Sequence, residues 1–196
     1  MKLVLGLTGP NASGKGEIAT YLAGRGFTLH SLSDVVREEA AARGLRPERE
    51  HLIRIGNLLR DEHGPGVLAE RILLRLTGRD VVDSIRNPAE VAVLRRLPHF
   101  ILAGVRAPLE VRFHRSLQRA RPGDPRTLDE FRERELQENS QDPNAQQLLA
   151  TFQLADHVID NEGRREELVQ TLEQLLDDPP QPRGPAVDPV DPGRIE

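Results

Sequence analysis

The sequence predicts an α/β fold, a three-layer sandwich in which a five-stranded parallel sheet carries helices on both faces. Two observations predict it. Short apolar runs alternate with amphipathic segments of helical length along most of the 196 residues, as in chains built from strand–helix–strand units. The first run, "KLVLGLT" (2–8), is apolar throughout and is followed by glycine, as expected of a central parallel strand buried on both faces.

The remaining elements follow in order. A helix is expected from about Gly14 to Ala23, then a short strand at "GFTLH" (26–30). "SDVVREEAAARG" (33–44) reads as a helix capped by Ser33 or Asp34 and ended by Gly44. The stretch 46–76 reads as two helices broken at "GPG". "DVVDS" (80–84) is the third strand, 88–97 a helix, "FILAGV" (100–105) the fourth strand and 108–120 a helix. The turn-rich "RPGDPRT" (121–127) separates that helix from a helical 128–139, and "NAQQLLATFQL" (144–154) also reads as helical. "DHVIDN" (156–161) is the fifth strand and 164–176 the last helix. The Pro-rich acidic tail, 177–196, holds too few apolar residues to fold and is expected to be disordered.

Parallel sheets of this kind bind ligands outside the carboxyl ends of their strands. The loops at 9–15, 31–37, 83–87, 106–108 and 161–163 therefore surround one crevice. The connection between the second and third strands, about 50 residues, far exceeds the usual ~4–6. Being mostly helical, it is expected to form an inserted lobe (46–76) over that crevice, within one domain of residues 1–176.

Composition bounds the partners. A net charge of −4 supplies no global attraction to nucleic acid or anionic membrane. The absence of cysteine excludes disulfides and thiolate metal sites. "MKLVLGLTG" imitates a signal peptide only briefly and turns into a glycine loop, so it reads as a strand. No stretch approaches the ~20 apolar residues that a membrane span needs. The expectation is a soluble cytoplasmic protein, a monomer or weak homodimer, that binds no membrane and no nucleic acid.

"GPNASGKGE" (9–17) carries the main chemical signal. Gly9, Gly14 and Lys15 have the G-x-x-x-x-G-K spacing of a phosphate-binding loop. After a strand, the backbone N–H groups of Asn11, Ala12, Ser13, Gly14, Lys15 and Gly16 can curl onto phosphate oxygens at the positive end of the next helix. Lys15 stands out because nearly every other cation here is arginine; Lys2 is the one other lysine. A compact ammonium is not interchangeable with a guanidinium at a phosphate. Gly16 occupies the place where Ser or Thr usually holds magnesium, and Glu17 follows.

Three further groups face the same crevice. Asp34 reads as a helix cap or as a base near an acceptor, and Arg37 on the same helical face suits a substrate phosphate. Asp83, at the end of the third strand, suits Mg²⁺, held through water or directly, with Arg86 three residues on. Arg112, Arg115 and Arg119 form one helical stripe, with Arg121 and Arg126 in the loop beyond and Arg132 and Arg134 on the next helix. Residues 115–134 thus read as a short arginine-rich lid, hinged near Gly123, and only two or three of these cations are expected to touch phosphate. The six histidines show no metal-ligand spacing.

With these motifs on view, the chain resembles the nucleoside monophosphate kinases, adenylate kinase in particular. "GPNASGKGE" resembles that family's G-x-P-G-x-G-K-G-T, including the glycine after the lysine. "SDVVR" is similar to its G-D-x-L-R, "VVDSIR" to its L-D-G-F-P-R, and "RSLQR" to the R-x-x-x-R that opens its lid. The likeness spans residues 3–176 and is shared by a branch of adenylate-kinase-like proteins that carries "DVVREEA", "DGIR" and "NEG" segments. It implies a P-loop phosphotransferase that uses ATP and Mg²⁺, with a small phosphorylated substrate, a ribo- or deoxynucleoside monophosphate, as acceptor. It also implies that Lys15, Arg115 and Arg119 hold the ATP phosphates, that Arg37 and Arg86 hold the acceptor phosphate, and that Lys15, Asp83, Arg86 and Arg119 are the catalytic set. Glu17 stands where that family has threonine, and Ile85 and the absent proline alter the loop beside the acceptor. "ADHVIDNEG" also resembles the closing strand of dephospho-coenzyme A kinase, the second substrate class to weigh. A nucleotide-gated module with little turnover is the reading from outside the kinases.

Overall fold

The computed structural model describes residues 2–120 and 123–181. Arg121 and most of the Pro-rich tail lie outside the described residues. Five parallel strands, β1 (Leu3–Thr8), β2 (Thr28–Ser31), β3 (Arg79–Asp83), β4 (Phe100–Arg106) and β5 (His157–Asp160), form one sheet in the order β2-β3-β1-β4-β5. β1 is central, with Leu5 beside Val81 of β3 and Ile101 of β4. The chain runs from β1 outward to β2, back to β3, and across β1 to β4. Strand direction from the centre reverses at β1, so the crevice of such a sheet opens at its carboxyl end.

Period-two alternation divides the apolar residues between two cores. Leu3, Leu5 and Leu7 of β1 face α1 (Lys15–Gly24) and α9 (Arg165–Asp177), packing with Ile18, Leu22, Leu168 and Leu172. Val4, Val82 and Leu102 face the other way, toward α2 (Leu32–Ala42), α3 (Arg49–His63), α4 (Val67–Leu73) and α5 (Pro88–Leu94). Gly6 is required on that second face: a Cβ there would lie 2.7 Å from Ile85 Cδ1 and from the Phe100 ring. With aromatics scarce, both cores are built mainly of aliphatic side chains, with Phe100 in one and Phe27 in the other, and their close packing is what places the loops.

The 46–76 connection forms two helices broken at Gly64–Gly66, as its sequence implies. Ile55, Leu59, Val67, Leu68 and Ile72 join the same core as the sheet face, so this insertion is a wall of the molecule rather than a detached flap. α6 (Leu109–Arg119), α7 (Leu128–Gln137) and α8 (Leu148–Gln153) complete the chain.

Several boundaries differ from expectation. β2 begins at Thr28, because Phe27 turns into the core while Gly26, at φ +84°, ends the preceding helix. α2 begins at Leu32 with Ser31 at its N-cap position, so neither Ser33 nor Asp34 caps it. α8 starts four residues later than "NAQQ" suggests. Residues 144–147 are instead spent on tertiary bonds, including Gln147 N–H to the Arg86 carbonyl at 2.8 Å. Among the described residues no helix is long and apolar enough to cross a membrane.

Candidate functional site

The loop after β1 wraps around the end of the sheet. Gly9 (φ +132°) lies against the Val105 carbonyl, and Gly14 (φ +107°) against the Asn161 side chain; a Cβ at either would collide. These two glycines therefore fix the loop's shape. Asn161 Nδ2 donates to the Ser13 carbonyl at 2.8 Å and is almost wholly buried, tying the loop to the end of β5. Lys15 opens α1, which leaves its own amide and that of Gly16 without an intrahelical acceptor.

Lys15 Nζ folds back to donate to the carbonyls of Gly9 (2.8 Å) and Pro10 (2.9 Å). Only 9% of the residue is exposed. Burial, and secondarily the charge of Arg86, lowers its pKa to about 8, against the opposing pull of Asp83 and Glu138. An ammonium held this way gains from an incoming anion, which would offset both its desolvation and its cationic neighbour.

Residues 11–17 line a cavity of about 290 Å³ with Asp83, Ser84, Arg86, Arg115 and Arg119. Asp83 ends β3, and its carboxylate accepts from Ser84 N–H at 2.6 Å. Two buried donors at this cavity lack a partner among the described residues: the Ser13 hydroxyl and Arg115 Nη1. Arg119 contacts Asn11 Oδ1 at 3.4 Å and pairs with Asp124 at 3.0 Å. Orphaned donors, cationic side chains and helix-end amides together suit a ligand with several anionic oxygens, as a polyphosphate has. Asp83 is a single carboxylate, and no group of three His, Asp or Glu able to hold a metal exists among the described residues. One carboxylate together with phosphate oxygens is a common way to hold Mg²⁺, so the residues fit that ion in company with a nucleotide.

A second cavity, of about 180 Å³, adjoins the first and shares Ser84 and Arg86 with it. Its walls come from α2, α3 and α4 and are mainly apolar: Leu32, Val36, Leu52, Ile53 and Leu68. Arg86 pairs with Glu138 at 2.7 Å and donates to Gln146 Oε1 at 3.0 Å. Its backbone is held by the buried Glu90 carboxylate and by Gln147.

The structure thus gathers the loop residues, Asp83, Arg86, Arg115 and Arg119 around one space. Asp34 and Arg37 line neither cavity. They pair with each other at 2.5 Å, about half-exposed, and Arg37 also donates to Ser33 Oγ at the edge of the second cavity. Glu17 borders the first cavity, but its carboxylate accepts from Arg165 of α9 at 2.9 Å. Arg112 departs from its stripe: it is buried, donates to the Ala107 carbonyl at 2.8 Å, pairs with Glu135 and lies 5.6 Å above the Phe131 ring. Arg134 is turned to the Gly123 carbonyl and Arg132 to Asp129.

Sequence reasoning missed Asn161, Glu138 and Arg60. Asn161 and Glu138 show no local signal, because their partners are 148 and 52 residues away in the chain. Arg60 did carry one. It falls four residues after Gly56 and eight after Leu52, on the buried stripe of α3.

Known proteins place this architecture. The chain shares its fold with the shikimate kinase of Bacteroides thetaiotaomicron (TM-score 0.56, 16% identity, 90% of this chain and 99% of that one). It is likewise similar to TT1252 from Thermus thermophilus (TM-score 0.55, 24% identity, 90% and 97%). The fold is that of a P-loop kinase. No family model matches the chain. A UPF0200 protein of Hyperthermus butylicus is 36% identical over 179 residues, covering 89% of this chain and 94% of the relative. Another, from Pyrococcus horikoshii, is 32% identical over 183 residues, covering 89% and 96%. The chain belongs to the UPF0200 family.

Proposed function

We propose that this protein is an ATP-dependent phosphotransferase that moves the γ-phosphoryl group of Mg-ATP to a small phosphorylated acceptor, a ribo- or deoxynucleoside monophosphate. One observation carries the reading: a cationic cavity on the phosphate-binding loop and a mainly apolar cavity beside it meet at Ser84 and Arg86. A protein that only binds or hydrolyses a nucleotide has no use for the second space.

Phosphoryl transfer asks for positioning and charge neutralisation more than covalent chemistry. Lys15 and the loop amides hold the donor phosphates, and the unpartnered Ser13 hydroxyl and Arg115 Nη1 take further oxygens. Mg²⁺, when bound, neutralises charge between the outer phosphates, and Asp83 is the carboxylate that would hold it through water. Arg86, at the junction, faces both phosphoryl groups. Arg119 reaches the loop from the lid side. Glu17, the main support for a module with little turnover, is turned toward Arg165 and lends that reading nothing.

The test is to incubate the protein with Mg-ATP and a panel of nucleoside monophosphates and dephospho-coenzyme A, measuring ADP and the phosphorylated product. Acceptor-dependent ADP release supports the proposal and identifies the acceptor. Tight ATP binding without turnover on any acceptor contradicts it.

A further inference from the structure

Arg60 sits on the wall of the second cavity with only 4% of its surface exposed. Its Nη2 donates to Glu90 Oε1 at 2.9 Å. Glu90 is itself fully buried, and its other oxygen accepts from the amides of Arg86 (2.9 Å) and Asn87 (3.1 Å). Among the described residues no other Arg60 donor meets an acceptor, and Nε is buried without a partner. A guanidinium carries five N–H donors; Nε is orphaned out of water, which is costly, and the unspent Nη donors are those that a ligand in the cavity can meet.

Leu32, Val36, Leu52 and Leu68 offer no side-chain acceptor, and the polar wall residues are engaged elsewhere: Ser33 with Arg37, Ser84 with Ser31, and Gln146 and Glu138 with Arg86. Space beside Arg60 is kept by Gly56, one turn earlier on α3. A methyl group there would stand 3.5 Å from Arg60 Nη1 and 3.7 Å from Val36 Cγ2. Glycine within a helix is otherwise unfavourable relative to alanine. The charge of Arg60 is already balanced by Glu90, and Glu138 adds a second carboxylate to this cavity. A further anion would meet both acids, whereas a neutral oxygen acceptor would meet only the spare N–H groups. Apolar walls on the remaining sides suit a flat ring better than a polyol.

We propose that the acceptor bound in this cavity carries a flat heterocycle with a neutral carbonyl oxygen, which accepts hydrogen bonds from Arg60. The inference rests on the reading of this cavity as the acceptor site. It selects an oxo-base nucleotide over its amino counterpart, with Arg60 as the residue that distinguishes them. A site built to donate to an oxygen rejects an analogue that presents a donor, because both partners are then left unsatisfied.

Inosine monophosphate and adenosine monophosphate differ at C6, oxo against amino, and at the adjoining N1, which is protonated only in the oxo base; they are the probes. Calorimetric titration of the full-length protein should show inosine monophosphate binding at least about tenfold tighter. Arg60→Lys, which retains a cation for Glu90 but removes the second arm of the guanidinium fork that faces the cavity, should erase that difference. Gly56→Ala makes only ordinary contacts and favours the helix, so the melting temperature should hold or rise. It should nonetheless weaken inosine monophosphate at least about tenfold, with ATP affinity unchanged. Equal or reversed preference, no binding of either probe, or a preference that survives Arg60→Lys overturns the inference. Oxo preference in binding without any phosphoryl transfer would leave the inference standing and contradict the kinase reading. Transfer to adenosine monophosphate as efficient as to inosine monophosphate would do the reverse.

Discussion

Arg86 Nη1 lies 2.7 Å from Glu138 Oε2, and the pair stands where the two cavities meet. Glu138 is 8% exposed, so the interaction is largely shielded from water. The carboxylate at the end of α7 occupies a cation that an incoming phosphate would otherwise engage. Glu138 would therefore compete with a phosphate bound there, which would link α7 to occupancy of the site. Glu138→Gln should tighten binding of inorganic phosphate several-fold and lower stability by about 1–3 kcal/mol, the cost of leaving a part-buried cation short of its partner. Phosphate titration and urea unfolding check the two halves separately; unchanged phosphate affinity would contradict the competition.

Lys15 gives a pH dependence. Its pKa in the folded protein, about 8, lies below its ordinary 10.5 because of burial first and Arg86 second. Between those values the unfolded chain holds more protons, so this group's stability contribution is complete above about 10.5 and is lost as pH falls through 8. Phosphate binding works in the opposite sense, since it favours the charged ammonium. ATP affinity should fall as pH rises above 8, and binding at pH 9 should take up a proton. Calorimetry in buffers of different ionisation enthalpy measures that uptake; none at pH 9 would contradict the placement of Lys15 at the phosphates.

Glu17 of α1 pairs with Arg165 of α9 at the surface, with both side chains exposed. Exposed pairs of this kind contribute about 0–1 kcal/mol, and an acid in a helix's first turn is favourable in itself. Glu17→Thr should therefore leave ATP affinity within about threefold and stability within about 1 kcal/mol. A larger change in nucleotide affinity, measured by direct titration, would show the carboxylate acting on the bound nucleotide.

Asn161 holds the Ser13 carbonyl from the end of β5. Asn161→Ala should cost about 1–3 kcal/mol by stranding that buried oxygen. By loosening the loop it should also weaken ATP about tenfold, which is ~1.4 kcal/mol and within the same range. Retained ATP affinity in a destabilised protein would confine Asn161 to the fold.

The parts of the fold that were legible in the sequence are those set by local periodicity. β1 and most of β4 are continuous apolar runs because both sheet faces are covered, β3 shows only the Val81–Val82 pair between charged residues, and the glycines at 9 and 14 announce the loop because only residues lacking Cβ fit against Val105 and Asn161. The edge strand β2 is half-exposed and so short that its register depends on β3 rather than on its own pattern. Side-chain partners chosen over long sequence separations were not legible. Arg112 and Arg115 look alike in the sequence, but Glu135 and Phe131 claim the first, which meets the loop only at the Asn11 carbonyl, whereas Arg115 lines the cavity. Asp34 and Arg37 satisfy each other within one helical turn, a pairing that competes with any ligand role. Arg60 was legible in principle by its position on a buried stripe, but it was hidden by the abundance of arginine.

The central claim is transfer between two adjoining sites, and the fate of the γ-phosphate tests it most directly. With γ-labelled Mg-ATP and inosine monophosphate, the account predicts label in the acceptor in step with ADP, and its loss in a folded Lys15→Met protein. Label released only as inorganic phosphate, or transfer that survives Lys15→Met, would contradict it.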